Sequence, residues 1–131
     1  IVKHTHHQVE FDQPGKDTWR HARAGAEVVA LAAPAGVALF KKFAGPPGAE
    51  DVFPLLGEVD LIIVEGYKKG WWPKIEIYHR GVAERPAIPE EELLAVVSDA
   101  GPCCGAPWYA PDDAAGVADL IELRIMKIEG Y

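Results

Sequence analysis

The run Leu61-Ile62-Ile63-Val64, closed by Glu65 and Gly66, constrains this chain more than any other stretch. A continuously apolar segment of that length fits a strand covered on both faces, which is the setting of a parallel sheet between helices. We predict a strand over 59–65 at the centre of the sheet. Open α/β sheets collect their ligands at the carboxyl ends of such strands, so a carboxylate at position 65 stands where chemistry is done, and Gly66 lets the backbone turn sharply beside it.

The other segments fit around that strand. Residues 1–5 start apolar and turn polar, which predicts a short strand, and 6–15 carry the Asp and Pro-Gly punctuation of a loop. A helix is expected over 16–26, with Asp17 or Thr18 as its cap and Gly25 near its end. Two β-rich runs, 27–32 and 37–42, flank Pro34-Ala35-Gly36 and read as a hairpin. After the break at Gly45-Pro46-Pro47-Gly48 come a short helix over 50–56, the 59–65 strand, and two further strands at 75–78 and 93–97. The last element is a helix over 112–128, where Val117, Leu120, Ile121, Ile125 and Ile128 form an apolar stripe, Asp112 caps and Gly130 stops. Strands alternating with helices, plus one hairpin, give an α/β class with a mostly parallel sheet flanked by helices.

The chain has 131 residues, almost half apolar, which suits one domain, and its formal net charge of -7 excludes the broad basic face that nucleic-acid or anionic-membrane binding requires. Charged residues or Pro interrupt every hydrophobic stretch before it reaches membrane-spanning length. The two cysteines, Cys103 and Cys104, are adjacent, a spacing poorly suited to a disulfide, and this favours a reducing, cytoplasmic setting. Ile1-Val2-Lys3 reads like the inside or end of a strand with no initiator Met before it, so further sequence is expected upstream.

Three polar clusters follow apolar runs: Lys3-His4-Thr5-His6-His7, Glu65-Gly66-Tyr67-Lys68, and Ser98-Asp99. Glu65 suits a carboxylate that holds Mg²⁺ through water or orients an attacking water, and equally a strand-end acceptor for a neighbouring loop. Along a strand His4 and His6 share a face and His7 takes the other, which makes a three-histidine zinc site awkward, and no C-x-x-C pair is present to help. The segment from Asp12 through Gly15, Lys16 and Asp17 leads into a helix whose free amides attract anions, although an ordinary capped turn has the same sequence. It is not a phosphate-binding loop of the Walker A kind, because position 10 is Glu and position 17 is Asp. Trp71-Trp72 suit a loop that either meets a partner or packs one ring against the sheet.

Taken together, Lys3-His4-Thr5-His6-His7, Asp12-Gln13-Pro14-Gly15-Lys16-Asp17-Thr18, Ala24-Gly25-Ala26, the block from Asp60 to Lys68, Pro73-Lys74-Ile75-Glu76, Val97-Ser98-Asp99 and Gly116-Val117-Ala118-Asp119 resemble, in order and spacing, the molybdopterin-guanine dinucleotide biosynthesis protein B (MobB) family, a P-loop GTP-binding family. The resemblance implies a P-loop NTPase-like α/β fold with an inserted β-hairpin, and a single domain over 1–131 that lacks the family's first strand, Walker A loop and first helix. It further implies binding of GTP with Mg²⁺, weak GTP hydrolysis, and assistance to a molybdenum cofactor guanylyltransferase that attaches GMP to molybdopterin. The 131 residues by themselves are then expected to bind GTP poorly. In this reading Glu65 supports Mg²⁺ or water; Lys3, His4, His6, His7, Asp12, Gly15, Lys16, Asp17, Gly66 and Lys68 rim the cleft; Ser98 and Asp99 meet the base or ribose. A homodimer is implied, with the hairpin as its candidate surface. The competing reading is a non-catalytic adaptor that docks a guanylyltransferase or the pterin cofactor.

Overall fold

In the computed structural model, which describes residues 1–82 and 86–127, the chain forms two compact units, Ile1–Lys68 and Lys69–Tyr131. In the first unit, β1 (Val2–Lys3) pairs in parallel with β4 (Val64–Glu65). The ladder is extended at its ends by the Val2 amide bonding the Ile63 carbonyl at 2.8 Å and the His4 amide bonding the Glu65 carbonyl at 2.7 Å. The 59–65 strand is therefore much shorter than expected and is not buried on both faces, since Ile63 is 48% exposed. The reason is its single neighbour. Among the described residues only Val64 and Glu65 are paired with β1, and 59–62 have an irregular backbone.

Between these strands lie α1 (Asp17–Arg23), the hairpin β2 (Val28–Ala33) and β3 (Gly36–Lys41), α2 (Ala49–Val52) and a 3₁₀ turn (Phe53–Leu56). The hairpin is antiparallel with Ala33 opposite Gly36, so Pro34 and Ala35 form the two-residue turn that the sequence announces. Its apolar residues do not close over a core: Val28, Leu31, Val37 and Leu39 are exposed. Phe11, Trp19, Leu31, Leu39 and Phe40 line a cavity of about 850 Å³ between the hairpin, α1 and the preceding loop. The helix predicted over 50–56 divides because Pro54 has no amide to continue an α ladder, and the Gly48 amide before it is bound by the Asp51 carboxylate at 2.9 Å.

In the second unit β5 (Lys74–Tyr78), β6 (Leu93–Ser98) and β7 (Trp108–Tyr109) form an all-parallel sheet in that order. Here β6 has a bonded neighbour on each side, and Ala95, Val96 and Val97 are buried. The centrally paired apolar strand is thus β6, and the two residues of β7 were not anticipated. A nearly buried Lys74 reaches the Glu92 carboxylate at 2.6 Å and fixes the entry to β5 against the short 3₁₀ turn Glu90–Glu92. α3 (Ala114–Ile121) is capped by Asp113, whose Oδ1 accepts from the Gly116 amide at 3.0 Å, and not by the neighbouring Asp112. It runs into a π turn, Glu122–Met126. The extra residue in that turn rotates the apolar stripe, so Leu120 is buried but Ile125 is exposed. The expected Ile128 and Gly130 end of the helix lies outside the described residues.

Among the described residues, three parallel pairings and one antiparallel hairpin, with helices between strands, make the mostly parallel α/β class expected from the sequence. Substituting Val96→Ala removes buried methyl groups from the sheet centre and should lower unfolding free energy by about 2 kcal/mol in a denaturant titration. Ile77→Thr, at a β5 position that is 71% exposed, should stay within about 0.5 kcal/mol of the parent.

Candidate functional site

Parallel pairing of β1 with β4 sets Lys3 directly opposite Glu65, and their charged groups meet at 2.8 Å. Both side chains are largely exposed, so the pair adds little to stability and leaves a cation and an anion open to a ligand. The next residues hold this rim in shape. Gly66 has φ +93°, and a Cβ there would lie 2.8 Å from the His4 carbonyl oxygen, so both the backbone angle and the close strand approach require glycine. Tyr67 follows with φ 45° and lays its ring on His4, 4.0 Å between centroids and 25° between planes. Its hydroxyl donates to the Pro47 carbonyl at 2.7 Å, and burial, then the Glu50 and Asp51 carboxylates, push its pKa up. His6 meets His4 edge-on at 4.6 Å. The result is an exposed rim of one carboxylate, one ammonium and two imidazoles, braced from behind by Tyr67.

The remaining predicted residues of the first unit make local contacts. His7 turns its amide to Thr5 Oγ1 at 3.2 Å, and Lys68 is exposed beyond Tyr67. Asp12 accepts from the adjacent Gln13 amide at 2.8 Å, Gly15 turns the chain with φ +87°, and the Lys16 amide bonds the Gln13 carbonyl at 3.2 Å. Asp17 and Thr18 do not cap α1, because Lys16 takes the cap position with no side-chain bond and Asp17 is already inside the helix. Seven residues make only two turns, so this terminus carries less of a dipole than the 16–26 helix would have. Among the described residues, no hydrogen bond or ion pair joins Asp12, Gly15, Lys16 or Asp17 to Lys3, His4 or Glu65.

Ser98 and Asp99, in the second unit, have local work. Ser98 is 1% exposed, and its hydroxyl accepts from the Ala100 amide and the Trp108 indole, each at 3.3 Å. Ser98, expected from sequence to meet a base or ribose, is enclosed in this structure and joins β6 to β7. Asp99 accepts from the Arg80 amide at 2.9 Å and faces His79 Nδ1 at 3.4 Å, tying the end of β6 to the end of β5. The Arg80 amide, opposed by partial desolvation and helped by His79, holds the Asp99 carboxyl below the usual carboxylate range.

Sequence reasoning overlooked three organising residues. Tyr67 sat inside the recognised Glu65-Gly66-Tyr67-Lys68 block, but only a fold could show its ring against His4. Glu76 accepts from the Ala87 and Ile88 amides at 2.7 and 2.8 Å and so clamps a loop eleven residues away in sequence. Trp108 donates its indole N–H to the Ser98 carbonyl at 3.1 Å, a contact with no local sequence signal.

The chain is similar to known proteins over most of its length. Residues 1–99 match the family model described as molybdopterin guanine dinucleotide synthesis protein B. A molybdopterin-guanine dinucleotide biosynthesis adapter protein of Escherichia coli strain K12 is 30% identical over 139 residues, which span 99% of this chain and 78% of that protein. One of the same description from Haemophilus influenzae is 34% identical over 103 residues, spanning 76% of this chain and 57% of that protein. A crystal structure of molybdopterin-guanine biosynthesis protein B superposes with a TM-score of 0.63 at 24% identity, over 86% of this chain and 75% of that one, and shows the same fold.

Two substitutions test the geometry. Gly66→Ala forces an L side chain to a positive φ against the His4 carbonyl and should cost at least about 1–3 kcal/mol in thermal or denaturant unfolding. A group whose folded pKa is depressed stabilises above its unfolded pKa, and that contribution disappears as pH falls through the folded value. Asp99→Asn should therefore lower stability at neutral pH and flatten the acid limb of the stability–pH profile, as followed by circular dichroism; an unchanged acid limb would show that Asp99 is not the group responsible.

Proposed function

The chain belongs to the molybdopterin guanine dinucleotide synthesis protein B family, and on that premise we propose that it acts as an adapter in molybdopterin guanine dinucleotide synthesis, with GTP and Mg²⁺ bound at the rim formed by Lys3, His4, Glu65 and Gly66. The observation that carries this reading is the parallel β1–β4 register, which sets an exposed carboxylate and an exposed ammonium side by side at the carboxyl ends of two strands. These residues fit the group. Mg²⁺ in nucleotide sites takes one or two carboxylates with the remaining positions filled by phosphate and water, so Glu65 is a sufficient protein ligand, and Lys3 is free to turn from Glu65 to a phosphate oxygen. Bound there, the cation would offset triphosphate charge; Glu65 would hold it directly or through water, while His4, stacked on Tyr67, keeps a fixed donor at the edge.

Turnover in this reading is slow. One carboxylate already paired with Lys3 is not free to orient an attacking water, and no second acidic group joins it in a hydrogen bond or ion pair among the described residues. Nucleotide therefore serves docking more than hydrolysis, and the partner is the guanylyltransferase that joins GMP to molybdopterin, with molybdopterin itself a second ligand class. The exposed apolar hairpin supports a homodimer, since single chains rarely leave Val28, Leu31, Val37 and Leu39 open together. Among the described residues no helix is long and apolar enough to cross a membrane, and the cysteines are free thiols, which supports a cytoplasmic site of action.

Calorimetric titration of GTP, with and without Mg²⁺, into protein expressed from the complete reading frame tests this. Glu65→Gln should weaken the Mg²⁺-dependent part by about tenfold or more, and Lys3→Met should weaken binding with or without the metal. Equal affinity in the parent and Glu65→Gln would remove the rim as the nucleotide site. Sedimentation of Leu39→Glu checks the hairpin: the dimer should dissociate, and retention of the dimer would move the interface elsewhere.

A further inference from the structure

The β2–β3 register sets Val29 opposite Phe40 and Leu31 opposite Ala38, so these four residues share one face of the hairpin. Together with α1 and the loop before it, they line the cavity of about 850 Å³. That volume is in the range of small-molecule sites, and the whole cavity belongs to the first unit. Three rings from three elements reach it: Phe11 of the loop, Trp19 of α1 and Phe40 of β3, with Phe11 and Phe40 6.2 Å apart between centroids.

Charged groups line the cavity in two sets. Glu10 and Asp12 come from the loop before α1. Asp12 is half-buried, and its Oδ1 accepts from the Gln13 amide at 2.8 Å. Among the described residues, neither its second oxygen nor the Glu10 carboxylate has a hydrogen bond or ion pair. Arg23 and Lys42 form the other set. The Lys42 ammonium donates to the Ala22 carbonyl, which places it at the end of α1 that carries Arg23, and the Arg23 guanidinium lies over the Trp19 ring, 5.2 Å from its centroid. Two carboxylates and two cations therefore line one cavity with no ion pair between them among the described residues. A half-buried carboxylate beside aromatic walls without a cation is costly, so packing for stability alone does not select this separation.

Aromatic rings take the faces of planar heterocycles, and a carboxylate accepts two parallel N–H bonds from a ring that carries an amino group beside a ring N–H. Arginine and lysine take phosphate. A 2-amino-4-oxo pteridine bearing a phosphate has all three features: the flat fused ring, the paired N–H edge and the anion. Guanine presents the same edge, but in the function proposed above the nucleotide is held at the Lys3–Glu65 rim, which leaves the cavity to the pterin half of the dinucleotide. We propose that this cavity binds a phosphorylated pterin, with Asp12 on the amino edge, Trp19 and Phe40 against the ring, and Lys42 with Arg23 on the phosphate. The inference rests on the adapter role in molybdopterin guanine dinucleotide synthesis and gives its two ligands separate sites in one unit.

The test titrates the full chain into 6-hydroxymethylpterin phosphate, a fluorescent probe, and follows anisotropy. One probe per chain should bind, and saturating GTP with Mg²⁺ should not displace it. Asp12→Asn should weaken binding about tenfold while circular dichroism stays unchanged. Lys42→Met should weaken the phosphorylated probe about tenfold and leave the affinity for unphosphorylated 6-hydroxymethylpterin unchanged, whereas a merely structural loss would weaken both. Ala38→Trp, which fills the cavity from the hairpin face, should abolish binding. The proposal is overturned if the parent does not bind the probe, if Ala38→Trp binds it as the parent does, or if GMP displaces it at equal concentration, which would assign the cavity to guanine. A parent that binds no probe and forms a dimer that Ala38→Trp dissociates would assign the cavity to a second copy of the chain. Because the probe is first titrated without nucleotide, a failure of GTP to bind the rim leaves this result intact, and the two readings fail separately.

Discussion

The approach of Gly66 to the His4 carbonyl is the contact on which the candidate site depends. Two short strands pair in parallel, and at their carboxyl ends one backbone must pass within van der Waals distance of the other while turning through a positive φ. Only a residue without a Cβ meets both conditions. Once that crossing is made, the positions of Lys3, His4, Glu65 and Tyr67 follow from strand geometry, with side-chain packing needed only to set the Tyr67 ring on His4. This explains how a rim of mostly exposed residues keeps a defined arrangement: the backbone fixes it, and the weak exposed ion pair between Lys3 and Glu65 does not have to.

The second unit is organised differently, by side chains that accept from backbone amides. Glu76 takes two amides of one loop, Asp99 takes the Arg80 amide, Glu90 takes the Gly105 amide, and the Ser98 hydroxyl takes the Ala100 amide. Parallel strands need long crossovers, which leave irregular backbone with unpaired polar groups, and carboxylates at the sheet ends satisfy them. The acidic balance of the chain is partly explained by this use. Asp99, which reads from sequence as a partner for a base or ribose, here ties the end of β6 to the end of β5.

That difference accounts for what could be read in the sequence. The hairpin was legible because Pro34-Ala35-Gly36 fixes a two-residue turn, and the parallel class because apolar runs alternate with helical periods. Lys3, His4, Glu65 and Gly66 were legible as strand-end residues, since strand ends are where side chains of different segments converge. The role of Ser98 was not, because a serine after an apolar strand looks the same whether it faces a ligand or an indole from ten residues onward. The centre of the second sheet was not either: Leu61-Ile62-Ile63-Val64 and Leu93-Leu94-Ala95-Val96-Val97 are equally apolar, and what separates them is the number of bonded neighbours, a property of topology that composition does not carry.

Exposure of the Lys3–Glu65 pair also bears on function. A strand-end pair kept for stability gains by burial against a neighbouring loop, as Lys74 does with Glu92, where the lysine is nearly covered. Lys3 and Glu65 are both about two-thirds exposed, at 68% and 64%, so each partner retains its water and the pair contributes little to folding. Water-accessible charges of opposite sign at one rim can exchange partners at small cost, the ammonium for a phosphate and the carboxylate for a hydrated cation. On the function proposed above, an arrangement that is poor as a structural tie would suit a phosphate and a divalent cation arriving together, each replacing the partner the other has left.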